Sequence, residues 1–184
     1  MGLTLANVLT ILRMVVIPFF IMAVGYSRSG WAFALFVAAG VTDMLDGLIA
    51  RVWKQQTTVG AILDPMADKL LLVTMFVVLT LPGIGSANQL PVWFTILVIS
   101  RDIAIVATVA VVNLAIGRRT FRPSIFGKIA TATYVLTGVV TLYYNYLGQK
   151  TAVVSVFIYG SLAITLVSAF HYLLQVLRMG KERP

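Results

Sequence analysis

Six long apolar runs follow one another along the chain, and a short polar segment separates each run from the next. Their approximate limits are residues 6–26, 31–51, 59–81, 91–116, 125–147 and 151–177. The separating segments, such as "GYSRSG", "KQQTT" and "GRRTFRPS", are rich in glycine, polar or charged residues, which is typical of turns. A helix that crosses a bilayer needs about 20 mostly apolar residues. The pattern therefore predicts six transmembrane helices.

The composition supports a membrane protein without a separate soluble domain. The 184 residues are 60% hydrophobic and 11% charged, and their mean hydropathy is +0.97, which lies outside the range of soluble domains. No run shows the apolar/polar alternation of a barrel strand, and a backbone in lipid must satisfy its own hydrogen bonds. We expect an all-α integral membrane protein, a bundle of six transmembrane helices that forms a single domain over residues 1–184. The absence of cysteine excludes disulfides and thiolate metal sites.

The basic residues predict how the helices are oriented. A net charge of +8 would suggest nucleic acid in a soluble protein, but here the positive-inside rule explains it and we expect no nucleic-acid partner. With a cytoplasmic amino terminus, two basic residues fall outside, Arg28 and Lys150, and nine fall inside. The nine are Arg51, Lys54, Arg118, Arg119, Arg122, Lys128, Arg178, Lys181 and Arg183. Both termini are therefore expected in the cytoplasm, with the chain in the inner (cytoplasmic) cell membrane beside anionic lipid.

The acidic residues are concentrated in one short stretch. Four of the six fall between positions 43 and 68, on the second and third predicted helices: Asp43, Asp46, Asp64 and Asp68. Residues three or four apart share a helix face, and the short connection makes the two helices antiparallel neighbours. We therefore expect the four carboxylates to converge slightly below the cytoplasmic surface.

Four carboxylates in this setting need a counter-charge. One aspartate in the middle of a membrane helix costs about 2.5–3.5 kcal/mol. Hard oxygen ligands without histidine or cysteine favour Mg²⁺, Mn²⁺ or Ca²⁺ over zinc. Two such ions bridged by carboxylates are a common means of holding a phosphoryl group during its displacement. Gly47 and Gly60 leave open space on the same face.

The acidic stretch is also compatible with a structural role or with ion transport. In the structural role, the carboxylates form buried ion pairs with Arg51, Lys69 and Arg101 that hold the bundle together. In the transport role, the chain is a cation transporter. A transport path should carry polar groups in both halves of the bilayer, and the outer half here is almost entirely apolar.

The spacing of this stretch resembles the motif of the CDP-alcohol phosphatidyltransferase family. The motif is D-x2-D-G-x2-A-R-x8-G-x3-D-x3-D, and all eight fixed positions are present: Asp43, Asp46, Gly47, Ala50, Arg51, Gly60, Asp64 and Asp68. "NVLTILRMVVIP", at residues 7–18, is similar to the family's opening helix. The resemblance covers nearly the whole chain.

The resemblance implies an enzyme that transfers a phosphatidyl group from CDP-diacylglycerol to a hydroxyl and releases CMP. It implies that Asp43, Asp46, Asp64 and Asp68 bind two divalent cations, Mg²⁺ or Mn²⁺, and that Asp68 is also the general base. Gly47, Ala50 and Gly60 would leave room for the cytidine, and Arg51 would contact the diphosphate. It further implies an active site that faces the cytoplasm and a homodimer. A homologue that binds nucleotide lipid without catalysis is disfavoured by the intact Asp68.

Two acceptor alcohols fit the resemblance. One is phosphatidylglycerol, as in CDP-alcohol-type cardiolipin synthase, and the second is glycerol 3-phosphate, as in phosphatidylglycerophosphate synthase. "ISRD" at residues 99–102 and "SAFHYL" near the end resemble the cardiolipin branch. Ala130 stands where the glycerophosphate branch is expected to have a second lysine. We favour phosphatidylglycerol as the acceptor. The margin is narrow, because the compact chain is more typical of the glycerophosphate branch.

Several cations are candidates for binding the acceptor or a lipid headgroup: Arg101, Arg118, Arg119, Arg122 and Lys128. For the last four, the positive-inside pattern explains their positions equally well. Arg101 and Asp102 lie near mid-bilayer, where a charge suggests a site, although a structural pair between helices is the alternative. Arg13 is open to the same two interpretations, and His171 is expected to be interfacial or packed.

Overall fold

The computed structural model describes residues 5–53, 60–82, 86–116 and 125–181, with side chains described for residues 10–44, 66–82, 86–108, 114 and 125–173. Within these ranges the chain forms six helices and no strand. The helices are α1 (Leu5–Gly25), α2 (Ser29–Trp53), α3 (Gly60–Thr80), α4 (Val92–Ile116), α5 (Ile125–Tyr146) and α6 (Ala152–Lys181). Each coincides with one predicted run, so the prediction of six helices is confirmed.

Two stretches among the described residues are long and apolar enough to cross a bilayer, Ile125–Tyr146 and Ala152–Leu173. In α1 and α2 the corresponding apolar stretches are shorter, Thr10–Gly25 and Ser29–Met44. An all-helical chain with two such helices is consistent with a membrane protein. The orientation of the termini and the full set of six spans remain predictions.

Over residues 152–173, the exposed positions of α6 are mostly apolar, whereas its buried face carries hydroxyl groups. Ser161, Thr165 and Ser168 are buried, and they recur at the spacing of a single helix face. The exposed residues include Val156 (68%), Tyr159 (62%) and Phe170 (64%). A soluble protein rarely exposes such a continuous apolar surface, and polar contacts between helices are common where the outside is lipid.

The described contacts divide the chain into two compact units. The first comprises Met1–Leu90 with Gly138–Lys150, and the second comprises Pro91–Thr137 with Thr151–Pro184. Helix α5 therefore contributes its beginning to the second unit and its end to the first. The expectation of one domain over residues 1–184 remains a prediction.

In the first unit, α1 packs against both α2 and α3. Arg13 contacts Asp43, and Phe20 lies 6.0 Å from Phe36 between ring centroids. Position increases along α1 as it decreases along α2, so these two helices are antiparallel neighbours. This arrangement lets a residue of α1 reach the middle of α2.

A pair of buried asparagines attaches the segment after α3 to the end of α5. The Oδ1 atom of Asn145 accepts hydrogen bonds from the backbone N of Asn88 (2.7 Å) and from its Nδ2 (3.1 Å). In return, Asn145 Nδ2 donates to the carbonyl of Asn88 at 3.0 Å, and Asn88 Nδ2 donates to the carbonyl of Gln149 at 2.8 Å. Two of these bonds satisfy the backbone N–H and C=O groups of the buried Asn88.

In the second unit, hydroxyl groups join α5 to α6. The Tyr134 hydroxyl lies 2.6 Å from Thr165 Oγ1, and Thr137 Oγ1 lies 2.8 Å from Ser161 Oγ. The position falls along α6 as it rises along α5, so these segments are antiparallel. An aromatic contact also joins α4 to α5: Phe94 packs edge-on against the Tyr134 ring, with 6.3 Å between centroids.

Candidate active site

Arg13 lies on the face of α1 that points into the first unit. From residue 10 onward, where the side chains of α1 are described, the buried positions are Thr10, Arg13, Phe20, Ala23 and Val24. They fall three, four or seven residues apart along most of the helix, which is the spacing of one helix face. Arg13 is only 2% exposed and is among the largest fully enclosed side chains of the described residues. An arginine at such a position needs an anionic partner, because burying an unpaired charge is very costly.

The Arg13 guanidinium contacts a carboxylate on each of two neighbouring helices. Its Nη2 atom lies 2.9 Å from Oδ1 of Asp43 on α2. Its Nη1 atom donates a hydrogen bond to Oδ1 of Asp68 on α3. Planar guanidinium groups carry several N–H donors in a fixed arrangement, so a single arginine can hold two carboxylates at once. Two of the four clustered aspartates are thus brought together by a residue outside the stretch that contains them.

The helix bounds explain why these three residues meet. At a rise of about 1.5 Å per residue, Arg13 and Asp68 each lie about 12 Å from the start of their helix, and Asp43 lies about 15 Å from the end of its own. If each helix runs opposite to the one before it, these ends belong to one side of the protein. The three charged groups then occupy nearly the same level.

The two carboxylates differ from the arginine in their accessibility. The side chains of Asp43 and Asp68 are 43% and 42% exposed, whereas that of Arg13 is 1% exposed. The guanidinium therefore lies on the enclosed side, and the two carboxylates lie between it and the accessible side. With one positive and two negative groups, the trio carries a net negative charge that a cation could neutralise.

The other residues of the aspartate motif cannot be placed by their side chains. Helix α2 includes positions 46, 47, 50 and 51, and α3 includes positions 60 and 64, but the side chains there lie outside the described residues. Among the side chains that are described, no three histidine, cysteine, aspartate or glutamate residues form a group that could hold a metal. Since Asp46 and Asp64 are outside that set, the predicted four-carboxylate cluster remains a prediction.

Arg101 and Asp102 form the principal charged pair described in the second unit. Arg101 Nη1 donates to Asp102 Oδ1 at 2.9 Å, and the two side chains are 12% and 21% exposed. Arg101 Nη2 makes longer contacts, 3.4 Å to the carbonyl of Gly127 on α5 and 3.5 Å to Ser168 Oγ on α6. Arg101 thus contacts groups on α4, α5 and α6. This agrees with a structural role between helices, which is one of the two interpretations that the sequence allows for Arg101.

The predicted acceptor residues around α5 are only partly described. Lys128 is exposed near the start of α5, whereas Arg118, Arg119 and Arg122 lie outside the described residues. His171 packs its ring against Phe126, with 4.9 Å between centroids and 49° between planes. The expectation that His171 is packed agrees with this contact.

Two of the acidic residues pair with an arginine that the ion-pair alternative did not name. The ion-pair alternative names Arg51, Lys69 and Arg101, whereas the structure pairs Asp43 and Asp68 with Arg13. The available signal was a single arginine inside the otherwise apolar first run, which marks an intramembrane site by default. Its partners could not be read from the sequence because they depend on which helices pack against α1.

Comparison with known proteins identifies relatives along most of the chain. A probable phosphatidylglycerophosphate synthase of Mycobacterium tuberculosis is 32% identical over 181 residues, 95% of this chain and 82% of the relative. A CDP-diacylglycerol–glycerol-3-phosphate 3-phosphatidyltransferase of Haemophilus influenzae is 36% identical over 165 residues, 85% of each chain. A putative cardiolipin synthase of Mycobacterium bovis is 38% identical over 107 residues, 58% of this chain and 49% of the relative.

A comparison with models of whole protein families gives the same result as these relatives. The model of the CDP-alcohol phosphatidyltransferase family matches residues 3–171, which include the helices carrying Arg13, Asp43 and Asp68. The resemblance inferred from the aspartate spacing is confirmed. The chain belongs to the CDP-alcohol phosphatidyltransferase family and is a transferase of phospholipid biosynthesis.

Proposed function

We propose that this protein transfers the phosphatidyl group of CDP-diacylglycerol to an alcohol acceptor, releases CMP, and depends on divalent metal ions for this reaction. The observation that carries the proposal is the meeting of Asp43 and Asp68 at one guanidinium. It brings together the first and last aspartates of the family motif, which lie on different helices.

The donor set fits two divalent cations. Asp43 and Asp68 supply hard oxygen ligands, are close to each other, and remain partly accessible. Helix α2 continues beyond Asp43 and α3 begins before Asp68, so positions 46 and 64 lie one turn away on the same helices. We assign Asp43, Asp46, Asp64 and Asp68 as the ligands of two Mg²⁺ or Mn²⁺ ions. When bound, the ions would neutralise charge on the diphosphate.

Asp68 is proposed as the general base. Its carboxylate would take the proton of the acceptor hydroxyl, whose oxygen forms a bond to the phosphorus of the phosphatidyl group. The bond between that phosphorus and the bridging oxygen of the diphosphate breaks, and CMP leaves with that oxygen. Such proton transfer requires Asp68 to lie within hydrogen-bond reach of the hydroxyl.

The residues between the aspartate pairs would bind the cytidine diphosphate. Gly47, Ala50 and Gly60 are small, which suits the close approach of a nucleotide to the two helices. Arg51 would form charge-assisted hydrogen bonds with the diphosphate, for which its planar guanidinium is suited.

The membrane arrangement follows from the donor and from the distribution of charge. The acyl chains of CDP-diacylglycerol remain in the bilayer while CMP must leave into water. We propose six transmembrane helices in the inner (cytoplasmic) membrane, both termini in the cytoplasm, and an active site open to the same side. A homodimer is proposed from the family resemblance.

Phosphatidylglycerol is the acceptor that we propose, which would make the product cardiolipin. Support comes from "ISRD" at residues 99–102 and from Ala130 at the position of an expected second lysine. A glycerol 3-phosphate acceptor carries about two negative charges on its phosphate, whereas a phosphodiester carries one. A helix α5 that lacks the second lysine therefore suits phosphatidylglycerol, whose phosphate is a diester. Arg101, Lys128 and the arginines at 118, 119 and 122 are proposed to face the acceptor or a lipid headgroup.

Glycerol 3-phosphate is the second candidate acceptor, because a specific observation favours it. Two relatives named for glycerophosphate transfer align with 95% and 85% of this chain and a third aligns with 56%, whereas two relatives named cardiolipin synthase align with 58% and 70%.

The first experiment is a CMP-release assay on the purified protein with CDP-diacylglycerol and each acceptor offered separately. Wild-type protein should release CMP only with Mg²⁺ or Mn²⁺ present, and thin-layer analysis should show cardiolipin from phosphatidylglycerol. If the protein instead forms phosphatidylglycerophosphate from glycerol 3-phosphate and no cardiolipin, then glycerol 3-phosphate is the acceptor and the proposal of phosphatidylglycerol is wrong.

The Asp68→Asn variant tests the base. General base catalysis typically contributes about 10²–10⁴-fold, so CMP release should fall by that order in a variant that elutes as a folded protein under the assay conditions. Full activity in this variant would exclude Asp68 as the base. Cation flux through proteoliposomes without CMP release would instead support a transporter.

A further inference from the structure

Arg13 occupies a position that neither the motif nor the proposed reaction assigns. It lies on α1, outside the stretch from residue 43 to residue 68, yet it contacts the first and the last aspartate of that stretch. Its own side chain is enclosed, whereas each carboxylate is more than two-fifths exposed. A group in this position can orient the carboxylates without covering them.

Asp43 and Asp68 need such a group because they belong to different helices. Like charges repel, and in a low-dielectric setting the repulsion is stronger than in water. Without an opposing charge, each carboxylate would rotate or move away from its neighbour. One guanidinium that pairs with Oδ1 of both aspartates offsets this repulsion and restricts their rotamers together. Lysine carries the same charge but lacks the planar arrangement of donors.

We propose that Arg13 is a positioning residue that holds Asp43 and Asp68 in the orientation in which they bind divalent cations. The inference rests on the proposed function, because it takes these aspartates as metal ligands. Arg13 itself touches neither the metal nor the substrate in this role. Hydrogen-bonding partners behind metal ligands commonly change metal affinity by about 10–100-fold when removed.

Two alternative roles for Arg13 lead to different results. As a purely structural pair, it would stabilise the packing of α1 without changing metal affinity in the folded protein. As a cation that competes with the metal, it would weaken binding, and its removal would increase the affinity. The direction of the change in metal affinity therefore separates the three roles.

The test measures Mn²⁺ binding by electron paramagnetic resonance in detergent, without substrate, on the full chain. The variants are Arg13→Gln, which removes the charge, and Arg13→Lys, which retains the charge but not the planar donors. Arg28→Gln is the control, because Arg28 is an exposed cation in the turn between α1 and α2 of the same unit. Thermal unfolding of each variant without metal shows whether it is folded.

We expect the Mn²⁺ dissociation constant to rise by about tenfold or more in both Arg13 variants and to stay near the wild-type value in Arg28→Gln. An unchanged or lower dissociation constant in a folded Arg13→Gln protein would overturn the inference. Should that variant not fold, wild-type affinity in Arg13→Lys would overturn it equally. Absence of Mn²⁺ binding in the wild type would reject the metal dependence in the proposed function together with this inference, whereas unchanged binding in the variants would reject the inference alone.

Discussion

Nη2 of Arg13 lies 2.9 Å from Oδ1 of Asp43, in a pair that joins the enclosed face of α1 to the middle of α2. The same guanidinium also binds Asp68 on α3. One buried cation thus connects three helices of the first unit. Substituting Arg13 should therefore lower the free energy of unfolding more than substituting either aspartate.

Arg13 should matter more to stability than either of its partners. Arg13→Gln leaves two carboxylates facing each other without a counter-charge, and breaking a buried pair by removing one partner costs about 3–5 kcal/mol. Because both aspartates are partly exposed, the lower end of that range is expected. Asp43→Asn leaves the guanidinium paired with Asp68 and should cost clearly less.

Unfolding in increasing fractions of sodium dodecyl sulfate, followed by circular dichroism, would measure this order. Arg28→Gln is the control for loss of charge. A larger effect from Asp43→Asn than from Arg13→Gln would contradict the view that the arginine is the shared partner.

The asparagine pair should be a second stabilising point of the first unit. Asn145→Ala removes the acceptor for two donors of Asn88 and the donor for its carbonyl. Leaving buried polar groups unsatisfied costs about 1–3 kcal/mol. The same detergent titration should show this loss, whereas Gln89→Ala should stay within about 0.5 kcal/mol because Gln89 is exposed in the same segment. Equal effects from the two variants would argue against the pair.

The hydroxyl contacts between α5 and α6 should contribute modestly. Hydrogen bonds between membrane helices average about 0.6 kcal/mol and reach about 1.7 kcal/mol. Tyr134→Phe, which loses the contact to Thr165, should destabilise within that range. Tyr159→Phe makes the same chemical change at a ring that is 62% exposed, and it should be nearly neutral. A double-mutant cycle with Thr165→Val measures the coupling, and an energy of zero would contradict the contact.

Removal of divalent ions should abolish turnover under the proposed function. Treatment with a chelator should stop CMP release from CDP-diacylglycerol, and excess Mg²⁺ or Mn²⁺ should restore it, because the ions would neutralise the diphosphate. Circular dichroism before and after treatment provides the control for unfolding. Undiminished CMP release after complete chelation would contradict a metal-dependent reaction.

Much of the local structure could be predicted from the sequence. The six helices lie where the apolar runs lie, since each run is long enough for a helix and each break contains residues that favour turns. The family could also be predicted, because eight fixed positions from Asp43 to Asp68 form a pattern that does not depend on how the helices pack. The roles of Asp46 and Asp64 rest on that pattern, as their side chains lie outside the described residues.

The tertiary structure decided the charge pairing. Arg13 and Asp68 are 55 positions apart, and no local pattern connects them. Likewise, the sequence left two roles open for Arg101, and only packing showed its contacts with Gly127 and Ser168 on neighbouring helices. Helix formation depends on neighbours along the chain, which a sequence displays directly. The partner of a buried charge depends instead on which helix faces meet, and that is settled only when the whole bundle packs.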